Sequence, residues 1–204
     1  GNRTIVILFL ICFYAIGGLY SQEVLYNVIS NRALIDNSIN RVEEKNNSSK
    51  YLVLPIIDDF SGNSIYPDTN IWSDRYVYLN NTFCVNPNSY GVATFDGLDE
   101  YGRLYEWLSS GSSVADYLTS LPIRMDSASD GNVFTKAYAP EDSIYLSFEY
   151  QPGGNGNSPE SDDKLVLEFY SPTRDKWDVV WESEGKTFDK FKEECNCDFK
   201  RVYI

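Results

Sequence analysis

The chain has 204 residues, with 30 acidic and 17 basic side chains, no histidine and a formal net charge of −13. That field repels nucleic acid and anionic membrane surfaces, and the missing histidine removes Ser-His-Asp and Cys-His catalysis together with the common zinc sites. Aromatic residues make up 15% of the chain, which excludes wholesale disorder and suits a β-rich fold.

At the start, Arg3 precedes an unbroken apolar run from Ile5 to Ile16, followed by Gly17-Gly18-Leu19-Tyr20-Ser21. A basic start, an apolar stretch and a small residue at the cleavage position predict a secretory signal peptide over residues 1–21. The run is shorter than the roughly 20 residues that span a bilayer, so no transmembrane span is expected after cleavage. Cys12 lacks the preceding small residues of a lipoprotein site. The expectation is a protein secreted or held at the cell surface.

Residues 22–50 read as a leader and linker. Val24, Leu25, Val28, Ile29, Leu34, Ile35 and Ile39 form a loose helical stripe, which ends in Asn46-Asn47-Ser48-Ser49-Lys50. A folded domain is expected over 51–204, where the hydrophobic period changes to two. Arg75 to Leu79, Gly91 to Phe95 and Asn132 to Ala137 are strand candidates, with a short helical piece around Leu104 to Leu108. Ile144 to Tyr150, Lys164 to Tyr170 and Trp177 to Trp181 alternate more strictly. Their shared faces predict a core of Phe148, Leu165, Leu167, Phe169, Val179 and Trp181.

Between two of these strands, Gln151 to Asp163 is too long for a tight turn, and such loops are often functional. Its glycines lack the Lys-Ser/Thr ending of a phosphate loop and precede a strand. Phe199 to Ile204 reads as a final strand ending on apolar residues. That ending predicts an incomplete domain whose exposed edge strand favours self-association. Short strands separated by Gly, Pro, Asn and Asp predict an all-β antiparallel sandwich of jelly-roll type.

Three cysteines remain after cleavage. One bridge from Cys84 to Cys195 or Cys197 is expected, because three thiols cannot all pair within one chain. A metal clip of Cys84, Cys195 and Cys197 lacks a fourth soft ligand. Calcium is the better cation for an acidic β-protein, since hard ions take carboxylate oxygens at loop edges. Its candidate ligands are Asp96, Asp99 and Glu100 in one turn and Asp162 and Asp163 beside the long loop; Asp58 and Asp59 open the domain. Among the tryptophans, Trp177 and Trp181 read as core, while Trp72 and Trp107 lie in loop-like surroundings as candidate carbohydrate platforms.

Several phrases carry a resemblance when taken in order. They are Ile57-Asp58-Asp59-Phe60-Ser61, Tyr66-Pro67-Asp68 with Trp72-Ser73-Asp74, and Gly91-Val92-Ala93-Thr94-Phe95-Asp96-Gly97-Leu98-Asp99. Leu146 to Gly154, Leu165 to Tyr170 and Trp177-Asp178-Val179-Val180-Trp181 follow. Together they resemble the N-terminal region of large exported Bacteroidetes surface proteins of the type IX secretion and gliding class, and the paired-Trp strand is similar to MAM and lectin-like jelly rolls. The resemblance implies surface attachment or adhesion and brings no catalytic residues. The expected function is therefore a non-catalytic binding or adhesion module for glycans or a surface protein. Two alternatives stand beside it: a structural segment of a longer adhesin, and a glycan-degrading enzyme using a carboxylate pair.

Overall fold

The computed structural model describes residues 51–105, 113–130 and 133–204. Trp107, the signal-peptide and leader segments and most of the expected helical piece lie outside those residues. The described part is mostly strand with little helix, in short and mainly antiparallel pairs, as the two-residue period predicts.

Ten strands follow in chain order among the described residues: β1 Leu52–Val53, β2 Tyr78–Asn80, β3 Val92–Thr94, β4 Ile123–Arg124, β5 Ser127–Asp130, β6 Val133–Ala137, β7 Ser147–Tyr150, β8 Lys164–Ser171, β9 Lys176–Glu184 and β10 Lys200–Tyr203. They form five two-stranded ladders: β1 with β4, β2 with β3, β5 with β6, β7 with β10 and β8 with β9. β1 and β4 run parallel, the exception to the antiparallel expectation.

A helix, α1 (Phe188–Cys195), interrupts the strands where the hydrophobic period gives no sign of one. Thr187 caps it, its side chain accepting from the Lys190 amide at 3.3 Å, and Asp189 places negative charge in the first turn. Asn196 ends it in the left-handed region, where asparagine is tolerated, with its amide bonded to the Lys192 carbonyl at 2.8 Å.

The C-terminal core is an aromatic cluster. Val202 on β10 faces Phe148 on β7, and Lys200 faces Tyr150, so Phe148, Tyr150 and Val202 share one side of that ladder. Trp181 from β9 meets Phe148 at 5.1 Å and Tyr150 at 5.0 Å, both edge-on, and Tyr150 meets Phe191 of α1 at 5.4 Å. Edge-to-face rings add stabilisation beyond the area they bury. Phe191 and Val202 are buried, as are Val77 and Leu98 in the N-terminal part.

The predicted core needs a correction at one end of the longest hairpin. Phe148, Leu165, Leu167 and Trp181 are half-buried, but Phe169 is 45% and Val179 56% exposed. The cause is a bulge. Leu167 faces Trp181, yet Glu168 faces Val179, which leaves Val180 without a partner. One extra residue reverses the side taken by the residues of that strand beyond it, here 176–179. Val179 and Trp177 therefore share a face with Glu168 and Tyr170 instead of with Leu165 and Leu167. Phe169 keeps the face of Leu167, but its partner there is Asp178.

Candidate functional site

The reversal places an exposed aromatic pair on the outward face of the hairpin. Tyr170 and Trp177 are directly opposed across β8 and β9, their ring centroids 5.3 Å apart and their planes at 49°. They are 44% and 47% exposed, and Val179 on the same face is more open still. Four residues, 172–175, connect the strands. The Arg174 amide reaches the Ser171 carbonyl at 3.1 Å, and Asp175 takes a positive φ of 49°, a conformation aspartate tolerates. That turn presents Asp175 to Tyr170, whose hydroxyl donates to Asp175 Oδ1 at 2.5 Å and so fixes the ring. Arg174 and Lys176 both pair with Asp178, and Lys164 pairs with Glu182 at 3.0 Å. The result is two orientated rings rimmed by Glu168, Asp175 and Glu182.

Trp72, the platform residue expected from sequence, is placed differently. It is half-buried, its indole Nε1 donates to Asp58 Oδ2 at 2.6 Å, and its ring lies near-parallel to Phe60 with centroids 6.1 Å apart. Asp58 also accepts from the Phe60 amide at 2.8 Å, so one carboxylate organises both rings. Phe60 sits at a φ of 53°, and the backbone of Gly91 passes so close that a Cβ there would lie 2.4 Å from the Phe60 carbonyl oxygen. Beside this turn opens a cleft of about 300 Å³ lined by Asp58, Phe60, Tyr66, Asp68, Arg75 and Leu79, among others.

The carboxylates expected to hold calcium do not converge. Among the described residues no three acidic or cysteine side chains form a group able to hold a metal ion. Three of them accept bonds within local turns. Asp96 Oδ1 accepts from the Leu98 amide at 2.8 Å, Asp99 Oδ1 from the Tyr101 and Arg103 amides, and Asp163 Oδ2 from the Glu160 amide. Glu100 is half-buried and Asp162 is exposed. Short side-chain-to-backbone bonds of this kind are what Asp supplies in turns.

A second carboxylate, Asp116, joins Asp96, and the sequence spacing gives no reason to suspect it. Asp116 accepts from the Asp96 amide at 2.6 Å and from the Tyr105 hydroxyl at 2.7 Å. Burial, opposed only in part by these bonds, pushes Asp116 up to about 7 and Asp96 up to about 6. The pair clasps residues 113–117 to the turn at 96–105.

The cysteine expectation is also corrected. Cys195 and Cys197 bridge each other across Asn196, with Cα atoms 5.2 Å apart, and Cys84 is free and half-buried. The left-handed turn at Asn196 folds the chain back and brings the two neighbours within bridging range. Cys84 nevertheless lies close to that corner. Gln151 Oε1 accepts from the Val85 amide, and its Nε2 donates to the carbonyls of Val85 and Asp198 at 2.9 and 2.7 Å. Asn86 adds a bond to Asp198 Oδ2 at 2.8 Å, and Lys192 pairs with Asp198 at 2.7 Å. One amide side chain thus ties the 84–86 segment to the end of α1.

Among the described residues no helix is long and apolar enough to cross a membrane. Comparison with protein-family models, with curated proteins and with solved structures finds no match to this chain.

Proposed function

We propose that this chain is an exported, non-catalytic β-sandwich module of jelly-roll type that binds glycans on the Tyr170–Trp177 face of the β8–β9 hairpin. The observation that carries the reading is the exposed, orientated ring pair. The C–H face of a pyranose packs against such rings, and large aromatics present a wide apolar face with little freedom to lose. Glu168 and Asp175 offer acceptors to sugar hydroxyls or amino groups, and the chain's net charge of −13 disfavours uronic and sulfated sugars. Neutral or amino-bearing glycans are therefore the expected class. The sequence phrases that resemble exported Bacteroidetes surface proteins support a place at the cell surface, and the predicted signal peptide supports export.

Affinity electrophoresis of the full chain through gels containing neutral polysaccharides tests the reading. Retardation by at least one of them, abolished in Tyr170→Ala/Trp177→Ala and retained in Trp72→Phe, is the expected pattern. Equal retardation of the double variant would exclude the hairpin as the binding face. A glycan-degrading enzyme is the competing reading, favoured by the raised Asp96 and Asp116 carboxyls, whose values suit acid–base work. Release of reducing sugar that disappears in Asp116→Asn would establish it.

A further inference from the structure

We infer that the cleft beside Trp72 is a second binding site, taking a zwitterion of the α-amino acid class whose carboxylate meets Arg75 and whose ammonium meets Asp68. At about 300 Å³ the cleft falls at the small end of ligand pockets, a size for one compact molecule. Arg75 lines it, half-buried, and forms no ion pair among the described residues, although Asp58 and Asp68 line the same walls. In a chain carrying 30 acidic side chains, a half-buried guanidinium without a carboxylate is an open donor fork, shaped for a bidentate carboxylate.

The acceptor side is equally specific. Each Asp58 oxygen already accepts one bond, from the Phe60 amide and from the Trp72 indole, which ties that carboxylate to the turn. Asp68 uses only Oδ1, which takes the amide and the side-chain nitrogen of Asn70 at 2.8 and 2.9 Å. Its second oxygen accepts no bond from the described residues, and Asp68 lines the cleft. A simple anion would meet Arg75 but also two carboxylates, and a simple cation would meet the guanidinium. A molecule bearing both charges pairs with each, and its apolar part has Phe60 and Leu79 to lie against. These residues are separate from the glycan face, so either site can stand without the other.

Leucine is the probe, followed by calorimetry and by the emission of Trp72, whose indole is held by a wall residue of the cleft. Wild-type protein should bind leucine saturably. N-acetyl-leucine and leucine methyl ester, each lacking one charge, should bind at least roughly tenfold more weakly, since a charge-assisted bond is lost in each case. Arg75→Gln should remove the preference for leucine over its ester, and Asp68→Asn the preference over the N-acetyl form. Binding of both blocked forms as tightly as leucine would overturn the assignment, and so would the absence of any saturable leucine heat at millimolar concentration. The blocked ligands are tested on unmodified protein, so the outcome does not depend on how the variants fold.

Discussion

Replacing Phe191 by alanine removes the least exposed ring of the C-terminal cluster, which is 2% accessible and lies 5.4 Å from Tyr150 and 6.5 Å from Phe188. Burying such a side chain contributes about 1.5–3 kcal/mol, and a closed cavity adds to the loss, so the variant should cost about 3–5 kcal/mol. The comparison that makes this decisive is Phe169→Ala. Strict alternation along β8 would give Phe169 the same cost, but the bulge at Val180 leaves it 45% exposed with Asp178 as its partner. Roughly half the transfer contribution is then at stake and no cavity is sealed, so the loss should be about 1 kcal/mol. Urea unfolding of both variants, read by tryptophan emission with equal slopes, gives the two numbers. Equal losses near the larger value would show that β9 is in register throughout and that the outward face, with Trp177 on it, is wrongly placed.

The raised Asp96 and Asp116 carboxyls predict a pH dependence of stability. Groups whose pKa is higher in the folded state contribute stability in full below about pH 4, and that contribution is lost as pH rises through about 6 and 7. The urea midpoint should therefore fall between pH 5 and pH 7.5, and Asp116→Asn should flatten that slope; a flat wild-type profile would contradict the buried clasp. Gly185 has its Cβ position 1.7 Å from the Glu160 carbonyl oxygen, so Gly185→Ala should force the loop off the end of β9 and lower stability by about 1–3 kcal/mol in thermal melts. An unchanged melt would mean the two backbones are not in contact. Among the three described cysteines, Cys84 should be the one alkylated without reductant, and slowly at neutral pH because burial raises its pKa; peptide mapping that finds Cys84 bridged would restore the long-range disulfide.

Sequence pattern alone locates seven of the ten described strands, misses the short β1, β4 and β5, and fails where one residue or one neighbour decides the outcome. The alternations ending at Tyr150, Tyr170 and Trp181 correspond to β7, β8 and β9, and the weaker candidates to β2, β3, β6 and β10. Periodicity assigns faces correctly only while register is kept, so it places Trp177 and Val179 in the core; no propensity marks Val180 as the bulge. Helix α1 escapes the periodic reading because its apolar stripe is little more than Phe188 and Phe191, and its real signals are the Thr187 cap and the first-turn Asp189. Acidic residues in the turns suggest calcium, and spacing alone does not reveal that Asp96, Asp99 and Asp163 accept backbone amides. The partner of Asp96 is 20 residues away, and a contact of that range leaves no local trace.

The glycan-binding face is tested most directly by watching the tryptophan indole N–H signals while a retarding neutral polysaccharide is added. All four tryptophans carry one such signal, and single Trp→Phe variants assign them. The Trp177 signal should shift first and saturate with the binding curve, while that of Trp181, inside the aromatic cluster, stays in place. Saturable binding in which the Trp177 signal does not move would contradict a ligand seated on the β8–β9 hairpin.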